Sequence, residues 1–344
     1  MEKLLGKTPE ELKSVVQDCG MKPFAAGQIA RWMYVSRVRS IDAMTNLSKD
    51  ARERLKAGYE LGTEAPSDRA VSSDGTVKYL FGSGARSIES VMIPDGDRST
   101  LCVSSQAGCR MGCRFCMTGR GGFHGQLDAA GILNQFISID ESAQLTNAVF
   151  MGMGEPFDNS DTVSRVLEVL TAPWGFAWSP KRITVSSVGV LPEVERYLDT
   201  QKCHLAISLH NPFADERASL MPVEKAWPVH DVVDLIRRYD WSGQRRVSFE
   251  YTMFAGWNDT KRHADALSRL LKGLECRVNL IRFHQIPDFP YGTSAPGVME
   301  AFRDRLSAGG VTCTIRASRG EDIFAACGLL AGKARESRND NGND

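Results

Sequence analysis

The chain has 344 residues, with 42 basic and 42 acidic side chains and a formal net charge of zero. The net charge therefore gives no indication of a nucleic-acid partner. Nine cysteines, an odd number in a chain this long, do not fit a secreted disulfide framework. The sequence begins with no signal-peptide pattern and has no apolar run of roughly 20 residues, so we expect a cytoplasmic protein without membrane contact.

The sequence predicts a small helical domain over residues 1–65. Thr8, Pro9 and Glu11 form a capping-box pattern that begins a helix, a second helix is expected over 25–35, and a third follows Ser48. The Asp74-Gly75 turn and the flanking β-rich runs predict a hairpin, so residues 66–98 are expected to form a short β-hairpin linker.

After about residue 100, short β-branched runs alternate with helical stretches. Strands are predicted over 101–104, 147–151, 182–186, 204–209, 247–254, 277–283 and 312–317. Helices are predicted over 127–138, 162–170, 191–198, 229–239 and 260–271. This alternation indicates a parallel sheet with crossover helices, and the fold class is α/β, a partial (β/α)6-type barrel over 99–331. Its C-terminal strand–helix extension carries Cys327, and the tail 332–344 is predicted to be disordered.

Three cysteines in a Gly-rich loop after the first barrel strand have the spacing C-x3-C-x2-C: Cys109, Cys113 and Cys116. One helix face could carry this spacing, but the surrounding glycines would each cost a helix about 1 kcal/mol relative to alanine. Three thiolates could hold zinc, although a structural zinc site needs four ligands. An iron–sulfur cluster can use three thiolates and leave one iron open to a small molecule, and this is our preferred interpretation.

In barrels, catalytic side chains lie at the C-terminal ends of the strands. The stretch 152–156, Gly-Met-Gly-Glu-Pro, follows the second strand, where glycines let a ligand approach and Glu155 can accept a hydrogen bond from an ammonium group. Ser186 ends the third strand, and Ser208 ends the fourth. Such hydroxyls are often only local caps, but several on one rim favour a binding site.

The cysteine motif is similar to that of radical SAM enzymes, and nearly the whole chain resembles one branch of them, the RlmN/Cfr family of RNA methyltransferases. The matching stretches are 27–32, 44–48, 88–91, 102–106, the cysteine motif, 152–156, 208–210, 279–281, 319–323 and 326–328. The resemblance implies a 4Fe-4S cluster and S-adenosylmethionine (SAM), used twice per turnover, to methylate C2 of adenine in 23S rRNA and in tRNA. It also implies that the helical domain is an accessory RNA-binding domain.

The resemblance also assigns roles. Cys327 would be methylated by one SAM, and the radical formed from a second SAM at the cluster would then take hydrogen from that S-methyl group. After addition to C2, Glu89 would remove the C2 proton, and Cys102 would attack Cys327 and form a transient disulfide. The cluster ligands would be Cys109, Cys113 and Cys116.

The SAM contacts implied by the resemblance are Gly154, Glu155, Ser186, Ser208, Leu209, His210 and His284. His284 departs from the family pattern, which has Asn at that position, and we expect the imidazole to keep the contact through one hydrogen bond. An electron donor such as flavodoxin or ferredoxin is implied, and we expect a monomer.

Two alternatives remain open from the sequence. A Cfr-like relative would methylate C8 of adenine with the same chemical residues. A zinc-stabilised RNA-binding protein without catalytic activity would need no cluster. Both would keep the same cysteine motif, so the sequence favours the C2 methyltransferase only through its wider resemblance.

Overall fold

The computed structural model describes residues 1–243 and 245–331, so the tail predicted to be disordered lies outside the described residues. Within these ranges the strands are β1 (Glu2–Lys3), β2 (Tyr59–Glu60), β3 (Asp68–Val71), β4 (Val77–Phe81), β5 (Ile88–Asp95), β6 (Arg98–Cys102), β7 (Gln106–Gly108), β8 (Phe123–Gln126), β9 (Asn147–Phe150), β10 (Ile183–Ser187), β11 (His204–Ser208), β12 (Val247–Met253), β13 (Cys276–Arg282) and β14 (Thr312–Ile315). The α-helices are α1 (Pro9–Asp18), α2 (Ala25–Ala30), α3 (Lys49–Gly58), α4 (Met117–Arg120), α5 (Ala129–Ile137), α6 (Ser160–Thr171), α7 (Leu191–Thr200), α8 (Ala214–Leu220), α9 (Val229–Ile236), α10 (Lys261–Leu271) and α11 (Pro296–Ala308).

One large sheet organises the described residues, with the strand order β14-β13-β12-β11-β10-β9-β6-β5-β4-β3. Seven of its strands, β6 and β9 to β14, pair parallel with one another, and helices connect them. All seven barrel strands predicted from the sequence are present, and so are the five helices predicted between them. The α/β partial barrel is therefore confirmed.

The barrel strands have two different faces. In β10, Ile183 and Val185 are fully buried, whereas Thr184 between them lines an internal cavity. Because side chains alternate along a strand, one sheet face packs on the helices and the other faces this cavity. Every helix among the described residues is too short or too polar to traverse a lipid bilayer.

The N-terminal helices begin where the sequence predicts. The Thr8 side chain accepts a hydrogen bond from the Glu11 N–H (3.2 Å), and the Glu11 carboxylate accepts one from the Thr8 N–H (2.7 Å), which completes the capping box of α1. The second predicted helix is α2 continued by a π-helical turn over Arg31–Val35. Ser48 caps α3 by accepting from the Ala51 N–H.

The predicted hairpin is part of the large sheet. β4 pairs antiparallel with both β3 and β5, and β5 pairs antiparallel with β6, the first barrel strand. The Asp74-Gly75 turn joins β3 to β4. These strands therefore extend the barrel sheet beyond β6, while the domain boundaries at 65 and 98 remain predictions.

The prediction of a helix in the C-terminal extension was wrong. Between β14 and residue 331, the last described residue, the chain forms only a single 3-10 turn at Glu321–Ile323, and Cys327 lies in a turn rather than in a helix. Gly320, Phe324 and Gly328 have positive φ angles of 63°, 54° and 84°. Three left-handed residues at four-residue spacing interrupt any α-helix.

A buried arginine holds the ends of the central strands. Arg217 in α8 has no exposed surface and forms an ion pair with the buried Glu224. Its guanidinium also donates to the backbone carbonyls of Val188, Ser208 and Leu209, each at 2.9 Å. These are the loops after β10 and β11, so one side chain fixes the rim on which SAM contacts were predicted.

We predict that Arg217→Met lowers the free energy of unfolding by about 3–5 kcal/mol, because Glu224 is left as an uncompensated buried charge. Replacing both residues in Arg217→Met, Glu224→Met removes that charge and should cost much less than the single change. Urea denaturation of the three proteins measures the difference. If the double variant is as unstable as the single one, the ion pair is not the reason for the loss.

Candidate functional site

The internal cavity has a volume of about 810 Å³ and runs along the inner face of the parallel strands. Four cysteines line it: Cys276 lies at the start of β13, and the other three come from separate parts of the chain. Cys102 lies at the end of β6, Cys116 lies in the cysteine loop, and Cys327 lies in the C-terminal segment. Cys102 is buried, whereas Cys327 is exposed.

The cysteine loop is closed at its base by two short strands. β7 and β8 pair antiparallel on either side of the three cysteines, and the Cys109 N–H donates to the Gly122 carbonyl (2.8 Å). Gly108 ends β7 with a φ of 72°, and a Cβ there would lie 1.9 Å from the Gly122 oxygen. Only glycine permits this closure, so the sequence forms a loop and not the alternative helical stripe.

The three cysteines of the loop are partly or fully shielded from solvent: Cys113 is buried, and Cys109 and Cys116 are half-buried. Burial raises the pKa of Cys109 to about 12 and raises the pKa of Cys113 and Cys116, and each thiol interacts electrostatically with the other two or with one of them. Backbone N–H groups of Met111 and Gly119 donate to the sulfurs of Cys109 and Cys116. Bound iron would deprotonate such thiols, and these donors would then stabilise the thiolates.

The arrangement of the loop fits a cluster better than a single ion. Among the described residues, no set of three or more His, Cys, Asp or Glu side chains converges to hold one metal ion. A zinc ion needs all its ligands around one point, whereas each thiolate of a cluster binds a different iron. The donor set of three shielded sulfurs therefore fits an iron–sulfur cluster.

The C-terminal segment, residues 317–331, docks on the cysteine loop. The Met117 N–H donates to the Gly328 carbonyl (2.8 Å), and the Thr118 hydroxyl donates to the Leu330 carbonyl (2.6 Å). Cys327 directly precedes the first of these anchors, Gly328, in sequence, and its sulfur interacts electrostatically with Cys116. The segment thus holds Cys327 beside the cysteine loop.

The other side of the C-terminal segment rests on the turn between β3 and β4. Asp74 accepts from the Gly320 N–H (3.0 Å), and Asp322 accepts from the Ser72 hydroxyl (2.6 Å) and the Ser73 N–H (3.1 Å). The Gly320 N–H is among the donors that lower the pKa of Asp74 to about 2, against the opposing effect of burial. The hairpin therefore supports the segment that carries Cys327.

Glu89 lies on β5 beneath the same segment and is 2% exposed. Its carboxylate contacts the Lys78 ammonium at 2.8 Å and accepts from the Ala331 N–H at 2.7 Å. Lys78 also donates to the Phe324 carbonyl (3.5 Å). The Glu89 carboxylate is thus tied to the docked segment through the backbone N–H of Ala331, four residues after Cys327.

Arg316 lies close to Cys102 and Cys327, and Glu250 lies beside Arg316. Burial raises the pKa of Cys102 to about 12, the nearby Cys327 adds to this, and the Arg316 cation opposes it. Arg316 Nη1 lies 3.6 Å from Glu250 Oε2, and Glu250 is 3% exposed. The other carboxylate oxygen of Glu250 accepts from Ser248 and from Asn279. This network holds a cation next to the thiol that would have to ionise.

The predicted SAM contacts divide into two groups. Ser186 is two residues beyond Thr184 on β10, and Ser208 is four beyond His204 on β11; because Thr184 and His204 line the cavity, both hydroxyls lie on the strand face that borders it. His284 lines the cavity and pairs with the Ser318 hydroxyl at 3.1 Å. Of the seven predicted contacts only His284 is among the described residues that line the cavity; Ser186, Ser208, Gly154, Glu155, Leu209 and His210 are not.

The Glu155 carboxylate accepts hydrogen bonds from the backbone of other residues. Its two carboxylate oxygens accept from the N–H groups of Val188 (2.9 Å) and Phe157 (3.0 Å). Burial raises its pKa to about 7 although these donors oppose the rise. Gly154 has a φ of 98°, and a Cβ there would lie 2.6 Å from Gln106. This stretch therefore packs tightly behind the cysteine loop.

His210 is a buried neutral imidazole. Burial and the Arg217 cation lower its pKa to about 3. Its Nδ1 accepts from the Thr252 N–H (2.9 Å), and its ring meets Phe115 of the cysteine loop edge to face at 4.9 Å. His210 thus links the end of β11 to the loop that carries the three cysteines.

Sequence reasoning missed Lys78, Arg217, Glu250 and Arg316. Single charged residues in a strand or a short helix give no periodic signal, and their partners are far away in sequence. The one available sign was Glu250 itself, an acidic residue inside the otherwise apolar and hydroxyl-bearing strand β12. An unpaired charge in a central strand is costly and therefore indicates a partner.

Comparison with known proteins agrees with this geometry. Residues 103–267 match the model of the radical SAM superfamily, and residues 2–61 match the ribosomal RNA large subunit methyltransferase N-terminal domain. A probable dual-specificity RNA methyltransferase RlmN of Parabacteroides distasonis is 57% identical over 95% of this chain and 96% of that protein. The chain belongs to the RlmN family of radical SAM proteins.

Other RlmN relatives and a solved structure agree. The probable dual-specificity RNA methyltransferase RlmN of Bacteroides fragilis is 55% identical over 98% of each chain. The crystal structure of a radical SAM methyltransferase from Sphaerobacter thermophilus has a TM-score of 0.92 and 37% identity, and it covers 97% of this chain and 100% of its own. As a radical SAM protein of the RlmN family, the chain uses a 4Fe-4S cluster and SAM, as predicted.

The pKa of His210 predicts a pH dependence of stability. The folded state keeps the imidazole neutral, while the unfolded chain binds a proton below pH 6.5, so stability is full above that pH and falls as pH drops toward 3. His210→Asn cannot titrate, and Asn tolerates the φ of 56°. We expect the difference in free energy of unfolding between the parent and this variant to shrink by about 2 kcal/mol from pH 7.5 to pH 5. Urea denaturation at each pH measures it; a constant difference would contradict a neutral buried imidazole.

Proposed function

We propose that the protein methylates C2 of adenine in 23S rRNA, at the peptidyl-transferase centre, and in tRNA. The observation that carries the proposal is the common cavity of Cys102, Cys116 and Cys327. Relatives named dual-specificity RNA methyltransferase RlmN support an RNA substrate. The N-terminal match to an rRNA methyltransferase domain supports an RNA-binding role for the helical region.

The chemistry explains why a cavity with several thiols is needed. Adenine C2 is an electron-poor ring carbon without a lone pair, so it cannot attack a sulfonium methyl group directly. Cys109, Cys113 and Cys116 would hold the cluster, which would supply the electron needed to cleave SAM to a 5'-deoxyadenosyl radical. The chain itself must then carry the methyl group, remove a proton and release the product.

Cys327 is the methyl carrier in this proposal. Its thiol loses a proton to solvent, and the thiolate attacks the methyl carbon of one SAM, which gives S-methylcysteine and displaces S-adenosylhomocysteine. Exposure of Cys327 in the cavity supports this role because a thiol must reach both SAM and the base. The Met117 and Thr118 hydrogen bonds hold the S-methyl group close to the cysteine loop.

Glu89 is the proposed base for the C2 proton, and Cys102 is the proposed resolving thiol. Glu89 is shielded and positioned by Lys78 and by the Ala331 N–H, which suits a base that acts on a fixed substrate atom. Cys102 forms a disulfide with Cys327 as the bond from Cys327 sulfur to the product carbon breaks. Arg316 favours the Cys102 thiolate that this attack requires.

We propose that SAM is bound by the strand-end residues predicted from the sequence, Gly154, Glu155, Ser186, Ser208, Leu209, His210 and His284. For His284, burial lowers the pKa, which favours a neutral ring that can still donate or accept one hydrogen bond. We also propose a monomer that works in the cytoplasm with an electron donor such as flavodoxin or ferredoxin.

Mass spectrometry of RNA tests the function directly. Ribosomal RNA and tRNA from cells with the intact gene should contain methyladenine with the methyl group on C2, and RNA from cells lacking it should not. The ring position separates this proposal from the alternative, C8 methylation by a Cfr-like enzyme. RNA that is identical in both cells would contradict the proposal, and so would methyl groups found only on C8.

Two cysteine variants test the roles within the cavity. Cys327→Ala should carry no methyl group and form no product, because the acceptor sulfur is missing. Cys102→Ala should accumulate a covalent RNA–protein adduct, because no thiol releases it. Cys203→Ala, a buried cysteine outside the cavity, should form product like the parent. Peptide mass spectrometry and denaturing gels measure these outcomes; a methyl group on another residue, or no adduct in Cys102→Ala, would reject the assignment.

A further inference from the structure

We propose that the outer face of the cysteine loop is the docking surface for an acidic one-electron carrier protein. We define this outer face by Gly112, Arg114, Arg120, Phe289 and Tyr291, which line a second cavity of about 360 Å³. The inference rests on the proposed function, which needs one electron at the cluster for each radical formed. It adds where the carrier binds and which side chains recognise it.

The cysteine loop separates two cavities. The outer cavity shares no lining residue with the internal cavity among the described residues. Gly112 lies between Cys109 and Cys113, and its φ of 64° turns the loop backbone to the outer cavity, where only the Pro222 side chain approaches within 4 Å of a Cβ built there. SAM and the RNA base would fill the internal cavity, so an electron donor needs another approach, and the outer face offers one.

The outer face carries a free positive charge. Arg114 is exposed, and within residues 1–243 and 245–331 no hydrogen bond or ion pair joins its side chain to another group. Arg120 donates to the Pro287 carbonyl and lies 3.8 Å from Asp288, which leaves its charge only weakly paired because Asp288 is 91% exposed. With two arginines and one aspartate, the outer face has an excess of positive charge that complements a negatively charged protein surface.

Packed aromatic rings connect the outer face to the loop. Phe115, between Cys113 and Cys116, meets Phe254 at 5.5 Å between ring centroids, and Phe254 meets Phe289 at 5.3 Å. Phe289 in turn meets Tyr291 at 5.6 Å. Electron tunnelling decays more slowly through packed atoms than across gaps, so this chain of contacts gives a path from the outer face to the cluster ligands. The carrier, a reduced flavin or iron–sulfur protein, loses one electron, and the cluster gains it without bond changes.

An RNA contact is less well supported at this place. RNA-binding surfaces use extended arrays of cations along the phosphate backbone, whereas the outer face has two arginines. The exposed carboxylate of Asp288 would repel a phosphate, and Phe289 and Tyr291 pack against other rings instead of standing free for base stacking.

Charge variants of the full-length protein with its cluster test the docking surface. Arg114→Glu reverses a charge without removing an internal contact, and we expect it to weaken binding of reduced bacterial flavodoxin about tenfold at low ionic strength. High salt should reduce the difference, because it screens exposed charges. Asp288→Asn removes the opposing charge at a residue whose φ of 54° Asn tolerates, so it should tighten binding.

Arg238→Glu provides a matched control. Arg238 is exposed between α9 and β12, at the end of the barrel where the strands begin, and this variant should bind flavodoxin like the parent. Binding is measured by calorimetry, and cluster reduction by flavodoxin and by dithionite is followed by electron paramagnetic resonance. Arg114→Glu should slow reduction by flavodoxin and leave reduction by dithionite unchanged.

Three results would overturn the proposal. Arg114→Glu could bind flavodoxin as tightly as the parent; it could lose reduction by dithionite equally; or it could weaken only RNA binding in a filter assay. Failure of the proposed function is a separate result: the parent would cleave no SAM even with dithionite. Calorimetry would still decide the docking surface in that case, because flavodoxin binding needs no turnover.

Discussion

The docking of the C-terminal segment on the cysteine loop is the contact on which the site depends. Two hydrogen bonds, from Met117 and Thr118, join the loop after the first barrel strand to the last described residues of the chain. They close the cavity in which Cys327 meets Cys102 and Cys116. Without them Cys327, the proposed methyl carrier, would not be held beside the cysteine loop. The hairpin beneath the segment reinforces the contact through Asp74 and Asp322.

The electrostatics of the cavity follow from burial and from a few placed cations. Burial raises the pKa of the thiols and thus keeps them protonated and unreactive until a metal or a cation offsets it. Arg316 is that cation for Cys102, and Glu250 holds it in place. Arg217 performs a structural task at the C-terminal ends of neighbouring strands, where its hydrogen bonds fix the loops after β10 and β11. The site therefore combines a rim held by Arg217 with a C-terminal segment held by hydrogen bonds to the cysteine loop and the hairpin.

Much of the fold could be predicted because its signals are local. The seven barrel strands are β-branched runs bounded by helical patterns, and the α1 cap is a four-residue motif. The prediction of a C-terminal helix was wrong because the helical spacing of residues around Cys327 does not reveal the left-handed backbone at Gly320 and Phe324. The cluster ligands were predicted from their spacing, and roles for Cys102, Glu89 and Cys327 only from family resemblance; these roles remain predictions. Arg316 and Lys78 could not be found, because their partners come together only through the folded sheet.

Mild oxidation of the anaerobically purified protein with diamide, followed by peptide mass spectrometry, tests the central claim most directly. If the C-terminal segment holds Cys327 in the cavity beside Cys102, the two peptides should be joined by a disulfide in preference to all other pairs. Absence of this pair, with Cys327 joined to a cysteine outside the cavity or left unreacted while other pairs form, would contradict the account.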